Sequence, residues 1–150
     1  MPDIPVDVRT KDYVTDQGFA ARSLRLFVTI EIGSVRPLCF LDNGAPFSFV
    51  SFDVAQKIPW TLLGTAFQGK AASMDWQGIP CSFGETNIDL LDPQGTIRVA
   101  GLRLVGKFAK VQHSLLRNHV ILGMSFLVDN SIDFVSRNRS GSVSAVLSVP

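Results

Sequence analysis

Apolar and polar residues alternate in several short segments of the chain. Apolar side chains occupy the even positions from Leu24 to Ile32, and a similar alternation recurs in residues 85–90. A repeat of two residues is typical of a strand with one buried face and one exposed face. These segments therefore predict β-strands.

Further apolar runs predict additional strands with turns between them. The expected strands cover residues 35–41, 47–52, 97–105, 107–111, 120–122, 132–135 and 143–147. Gly33-Ser34 and Asp92-Pro93-Gln94-Gly95 have the composition of turns, and Gly101 marks a slip of the apolar phase that is typical of a β-bulge. Short helical turns are predicted at residues 53–58, with Asp53 as a cap, and at residues 124–129.

Many short strands and little helix favour an all-β fold: a small closed or nearly closed β-barrel with one or two short helical turns. The length of 150 residues fits one domain. We interpret residues 1–22 as an N-terminal extension and residues 23–150 as the folded domain. The extension is polar and has no apolar core, which predicts neither a secretory signal nor a membrane span.

The composition narrows the expected partners. With 46% hydrophobic and 18% charged residues, the chain is neither disordered nor a coiled coil. The net charge is +1 and no basic run is present, which argues against nucleic acid as a partner. Cys39 and Cys81 are too few for a metal cluster or a disulfide framework, and reduced thiols in a cytoplasmic protein are the expectation, with one bridge left open.

Asp42 lies in a tight turn, Asp42-Asn43-Gly44-Ala45, between two apolar runs. Asn-Gly between strands is a strong hairpin signal, and on that interpretation Asp42 is only a turn residue. The flanking runs do not alternate, however, and so predict strands that are buried on both faces. Such strands are an unusual setting for a carboxylate at the base of an exposed hairpin, which favours a functional role.

Two segments resemble the signature motifs of the retropepsin-like aspartic proteases. They are residues 38–51, which contain the Asp42 turn, and residues 120–127, which contain Val120-Ile121-Leu122-Gly123. The family has an apolar run followed by Asp-Thr/Ser-Gly-Ala and, later, two apolar residues and a glycine. The resemblance implies a barrel of the retropepsin type and an aspartic endopeptidase that hydrolyses peptide bonds with no metal or other cofactor.

The resemblance also implies roles for the residues of the two motifs. Asp42 is the catalytic carboxylate, and Asn43, Gly44 and Ala45 form the active-site turn and the dimer network. Leu122 and Gly123 support this turn, because a glycine lets the backbone pass close behind it.

The resemblance also implies a flap that closes over bound peptide, downstream of the turn. By position, it corresponds to Trp76, Gln77, Gly78 and Ile79, with Trp76 facing the substrate. Packing of Trp76 on the barrel is an equal alternative, since tryptophan is often largely buried.

The chemistry of this family needs two carboxylates around one water, one ionised and one protonated. The chain contains one Asp-x-Gly motif. The resemblance therefore implies a C2 homodimer in which each subunit supplies Asp42.

Asn43 departs from the motif, because the family has Thr or Ser at this position. There the hydroxyl donates and accepts hydrogen bonds across the dimer axis. Asn43 has a donor and an acceptor on a side chain that is longer by one heavy atom, and a displacement of roughly 1 Å can cost about a hundredfold in rate. Two functions stay open: an active peptidase, and a catalytically inactive retropepsin-like module for peptide binding or dimerisation.

Overall fold

The computed structural model describes residues 2–63, 72–74, 80–109 and 117–150. Strands and two short helices follow one another along the chain in these ranges. They are β1 (Asp3–Val14), β2 (Ala20–Glu31), β3 (Leu38–Leu41), β4 (Ser48–Val50), α1 (Phe52–Ala55), β5 (Thr61–Leu62), β6 (Ala72–Met74), β7 (Pro80–Leu91), β8 (Arg98–Ala109), β9 (His119–Leu122), α2 (Met124–Asp129), β10 (Asp133–Arg139) and β11 (Ser142–Ser148).

Six strands pair in a ring. Each strand pairs with the next in the order β2, β3, β9, β4, β8 and β7. The ring closes because β7 also pairs with β2, with residues 89–91 opposite residues 29–31. Pairing that returns to its first strand removes the open edges of a sheet. The predicted all-β fold, a small closed or nearly closed barrel with short helical turns, is confirmed.

The strand that contains the second motif lies between the two strands that flank the first. β9 pairs in parallel with β3, where Leu41 is opposite Leu122, and antiparallel with β4, where Phe49 is opposite Ile121. The chain therefore leaves the sheet after β3, crosses the end of β9 and returns as β4. This crossing segment contains Asp42.

The interior of the ring is apolar, as the alternation of the strands predicts. Ile30, Leu90, Leu104 and Leu122 are each at most 1% exposed, and Phe126 of α2 is fully buried against the same core. Burying each such side chain contributes about 1.5–3 kcal/mol. The core therefore fixes the strand ends from which the Asp42 turn projects.

The first strand joins this ring to the β10–β11 hairpin. β1 pairs with β2 over residues 7–14 and with β11 over residues 3–6, and β11 pairs with β10. The segment interpreted as an N-terminal extension thus contains a twelve-residue strand. The boundary expected at residue 22 lies inside β2.

Several local predictions are confirmed. The Gly95 N–H donates to the Asp92 carbonyl oxygen at 3.0 Å, which closes the predicted turn. The register between β7 and β8 shifts between Ile88 and Leu90, opposite Gly101 with φ of 73°, where the bulge was expected. α2 occupies residues 124–129, as the apolar pattern indicates.

Two local predictions are wrong. The cap of α1 is Ser51, and Asp53 lies in the first turn of the helix, where its Oδ2 accepts the Asn118 N–H at 2.8 Å. A bond to a distant segment therefore replaces the expected local cap. The two strands expected on either side of Gly106 are one continuous strand, β8, because Gly106 pairs within the sheet as its neighbours do.

Among the described residues, neither helix has the length and apolarity needed to cross a membrane. No cluster of three or more His, Cys, Asp or Glu side chains that could hold a metal ion is found in those same ranges. Cys39 and Cys81 are buried and are not joined by a disulfide bond, and burial raises the pKa of the Cys39 thiol.

Candidate active site

Asp42 lies directly after β3, at the point where the chain leaves the sheet. Its backbone N–H donates to the Leu122 carbonyl oxygen at 2.9 Å, and its carbonyl oxygen accepts the Ala45 N–H at 3.1 Å. The Gly44 N–H donates to Asp42 Oδ1 at 2.9 Å. The backbone and carboxylate of Asp42 are thus positioned by different groups, while the residue itself is exposed.

Gly123 lies behind the Asp42 turn. A β-carbon at this position would be 2.5 Å from the Phe47 carbonyl oxygen and 2.7 Å from the Ala45 carbonyl oxygen. Backbone atoms cannot approach a β-carbon so closely, and the φ of Gly123, −94°, is open to any residue. The requirement for glycine is therefore one of space.

Hydrogen bonds join the turn to the first residues of α2. The Met124 N–H donates to the Ala45 carbonyl oxygen at 2.7 Å, and the Ser125 N–H donates to the Pro46 carbonyl oxygen at 3.2 Å. Since α2 packs into the core through Phe126, these bonds tie the turn to a fixed element. The two sequence motifs meet at this point.

Ser48 and Ser51 support the site, although the sequence analysis assigned them no role. Both are fully buried. Ser48 Oγ accepts the Gly123 N–H at 3.1 Å, and Ser51 Oγ accepts the His119 N–H at 3.1 Å. Their location within an apolar run could have identified these serines. A hydroxyl that is buried in such a run needs a hydrogen-bond partner, which indicates a structural role.

Asp53 anchors the other end of β9. It accepts the Asn118 N–H, and Asn118 has a φ of 53°, a conformation that asparagine adopts more readily than most residues. Burial raises the pKa of the Asp53 carboxyl, but hydrogen bonds, including that from Asn118, outweigh it and hold this pKa below its ordinary value. The start of β9 is therefore fixed as well as its end.

A groove of about 680 Å³ opens beside Asp42. It lies between β2, the ends of β3 and β9, and the β10–β11 hairpin. Its lining is largely apolar and also contains the two first residues of the turn: Leu24, Arg25, Leu26, Phe40, Leu41, Asp42, Asn43, His119, Ile121, Phe134, Ser136, Asn138, Val143 and Ala145.

A second depression, of about 620 Å³, lies on the other side of Asn43. It is lined by α2 and the segment that follows it, and Asn43 and Phe134 line both concavities. Val128 of α2, at its edge, is 70% exposed. The Asn43 side chain makes no hydrogen bond to any residue that the structure describes.

Arg25 is a groove residue that the sequence analysis did not select as functional. The last pair of the β2–β3 ladder is Leu26 with Leu41. Continuing the same antiparallel register by one step places Arg25 opposite Asp42. Only the register between two strands could have revealed this relationship.

The predicted site residues divide into two groups. Asp42, Asn43, Gly44, Ala45, Leu122 and Gly123 come together around the end of β9. Trp76, Gln77, Gly78 and Ile79 lie outside the described residues. The strands on either side of that segment, β6 and the start of β7, are paired antiparallel, with Met74 opposite Pro80.

Two solved structures are similar to this chain over most of its length. A retropepsin-like aspartic protease from Rickettsia conorii is 13% identical, with 95% of this chain and 93% of that chain covered and a TM-score of 0.45. The retroviral protease-like domain of Ddi1 from Leishmania major is 16% identical, with 84% and 98% covered and a TM-score of 0.47. The sequence matches no protein-family model and no curated protein.

Proposed function

We propose that this protein is a homodimeric aspartic endopeptidase of the retropepsin type, in which Asp42 of each subunit forms the catalytic pair. The observation that carries the proposal is the setting of Asp42. Its carboxylate is exposed at the edge of a groove, is oriented by the Gly44 N–H and has no ion-pair partner among the described residues. An aspartate that only closed a turn would need none of the support that Leu122, Gly123 and Ser48 give this segment.

The reaction follows from two such carboxylates that face one water. Two carboxyl groups about 3 Å apart cannot both be ionised, so the pair holds one proton. The ionised Asp42 takes a proton from the water as its oxygen attacks the carbonyl carbon of the scissile peptide bond. The protonated Asp42 donates a hydrogen bond to the carbonyl oxygen, which stabilises the charge that develops there. When the tetrahedral adduct collapses, the C–N bond breaks, and the proton taken from water passes from the Asp42 pair to the leaving amine nitrogen.

The surface around Asn43 supports a dimer. Asn43 lies between two largely apolar concavities, and exposed apolar surface of this kind is typical of interaction sites. A twofold axis close to Asn43 brings the two turns together and lets each Asn43 amide bond to the other subunit. Each chain supplies one Asp42 carboxylate, and the dimer then contains the complete catalytic pair.

Asn43 is also the observation that favours the second candidate, a catalytically inactive module that binds peptides or dimerises. An amide in place of a hydroxyl changes the geometry of the bonds across the axis. The two candidates share the fold, the dimer and the groove. They differ in whether the Asp42 pair is held closely enough to activate water.

Peptide cleavage distinguishes the two candidates. The purified protein is incubated with a diverse peptide library between acidic and neutral pH, and new termini are identified by mass spectrometry. We expect cleavage that Asp42→Asn abolishes without a change in the circular dichroism spectrum, because a neutral amide cannot act as the base. Peptide binding without cleavage, in both the native protein and Asn43→Thr, would support the inactive module.

A further inference from the structure

Arg25 occupies the groove beside the candidate catalytic carboxylate. It follows Leu24 and precedes Leu26, which pairs with Leu41 at the end of the β2–β3 ladder. Arg25 therefore lies on β2 at the register position that faces Asp42, where β3 has already left the sheet. No strand separates Arg25 from the groove on this side.

No carboxylate in the described part of the chain neutralises the charge of Arg25. The residue is exposed, and no described residue forms an ion pair with it. Arg9, its cross-strand neighbour on β1, behaves differently, since it binds the Asp7 carboxylate at 3.0 Å and lies over the Phe27 ring. Like charges that face each other across strands repel, which favours a direction for the Arg25 side chain away from Arg9.

The groove offers this guanidinium no carboxylate of its own except Asp42. Asp42 Oδ1 already accepts the Gly44 N–H, and Asp42 and Arg25 form no ion pair. Among the residues that line the groove, Arg25 is the only one with a permanent positive charge. A guanidinium binds a carboxylate through two parallel hydrogen bonds, a geometry that a lysine does not provide.

We propose that Arg25 is a specificity-determining residue that binds the side-chain carboxylate of an acidic residue in the substrate. The inference rests on the proposed peptidase function. Because Arg25 lies at the register position opposite Asp42, a carboxylate that it binds belongs to a residue close to the scissile bond. The substrate class is therefore polypeptides with Asp or Glu close to the cleavage site.

Pairs of peptides that differ only in Glu or Gln test this assignment. The pairs are built from a cleaved library peptide, with the change at each position from one to four residues on either side of the scissile bond. At one position, kcat/KM is expected to be about three- to fivefold higher for Glu, the range open to an exposed ion pair. The difference is expected mainly in KM. Asp42 and His119 line the groove in both reactions. Any effect of their protonation on the rate therefore cancels in the ratio of kcat/KM between the Glu and Gln peptides.

Variants of Arg25 and of Arg22 complete the experiment. Arg25→Gln is expected to lower the ratio of kcat/KM between the Glu and Gln peptides to about one. Arg25→Glu is expected to cleave the Glu peptide more slowly than the Gln peptide and to prefer a peptide with Lys at the same position. Arg22→Gln is the matched control, since Arg22 lies on the same strand but binds Asp12 outside the groove. In the native protein the preference should disappear as the pH falls below about 4.3, where the substrate carboxyl becomes protonated.

The possible results separate the inference from the function on which it rests. Equal cleavage of Glu and Gln peptides at every position overturns the role of Arg25 and leaves the peptidase intact. Loss of the dimer in Arg25→Gln, seen by sedimentation equilibrium, overturns it in favour of a contact between subunits. Failure of the native protein and Asn43→Thr to cleave any peptide overturns the peptidase and the inference together.

Discussion

Gly123 and Phe47 lie in direct backbone contact, such that a β-carbon on Gly123 would be 2.5 Å from the Phe47 carbonyl oxygen. The contact joins the end of β9 to the segment between the Asp42 turn and β4. Ser48, the next residue, accepts the Gly123 N–H. The position of Asp42 therefore depends on the absence of a side chain at residue 123.

Gly123→Ala is expected to destabilise the protein by about 1–3 kcal/mol, the usual cost of overpacking a filled site. The added methyl group meets backbone carbonyls, which cannot move as a flexible side chain does. Urea unfolding followed by circular dichroism measures the change. Gly106→Ala is the matched control, because a β-carbon there meets its nearest neighbour at 3.4 Å, an ordinary contact. Equal stability of the two variants would contradict the close packing behind the turn.

Asp92→Asn is expected to lower stability at neutral pH and to have a smaller effect at pH 3. The Ile97 N–H and the Thr96 hydroxyl, which donate to the Asp92 carboxylate at 2.7 and 2.6 Å, hold the pKa of this carboxyl below its ordinary value of about 3.9. A lowered pKa means that the folded state favours the ionised form. The resulting stability is present above about pH 3.9 and is lost as the pH falls through the lower, folded-state pKa.

Urea midpoints at pH 7 and pH 3 measure this effect. The native protein and Asp92→Asn should differ more at pH 7 than at pH 3. Asp16→Asn is the control, since Asp16 is exposed and forms no hydrogen bond with the described residues. A difference between the native protein and Asp92→Asn that is the same at both pH values would remove the carboxylate as its cause.

The strands of the barrel were predictable from the sequence, but which strands pair with one another was not. The alternation from Leu24 to Ile32 gives β2, and the apolar run at residues 120–122 gives β9. That β9 pairs with both β3 and β4 depends on contacts between residues about 70 to 80 positions apart, on which local patterns carry no information. The resemblance to a family of known motifs, rather than periodicity, brought Asp42 and Gly123 together.

The candidate site was likewise predictable only in part. Asp42 and its turn have a motif, whereas Arg25 has none: it is one of several polar residues on a half-exposed strand. Its position opposite Asp42 results from the register of β2 and β3, which the sequence does not define. At Asp53 a local signal was present but misleading. The sequence favours Asp53 as a helix cap, whereas in the structure its carboxylate accepts a hydrogen bond from Asn118.

Mixing native and Asp42→Asn subunits tests whether each active site contains two Asp42 residues. At a fixed total chain concentration, an equal mixture that has exchanged subunits should retain about a quarter of the native activity, because random pairing leaves that fraction of dimers with two native subunits. The two proteins are diluted together so that they exchange subunits, and the mixture is then reconcentrated. The rate of peptide hydrolysis is measured afterwards. Independent sites would instead retain about half. The same experiment with Asp16→Asn, which lies outside the site, should retain full activity.

Asn43→Thr is expected to raise kcat by at least about tenfold and to preserve or strengthen the dimer. A hydroxyl restores the shorter donor and acceptor of the family motif, and closer positioning of the Asp42 pair raises the rate of the chemical step. Steady-state kinetics on one library-derived peptide gives kcat and KM, and sedimentation equilibrium gives the dimer affinity. Asn87→Thr is the matched control, because Asn87 is exposed on β7 and lines neither concavity beside Asn43. If Asn43→Thr strengthens the dimer while neither protein cleaves the library, Asn43 is not what prevents catalysis, and binding without hydrolysis becomes the better account of this fold.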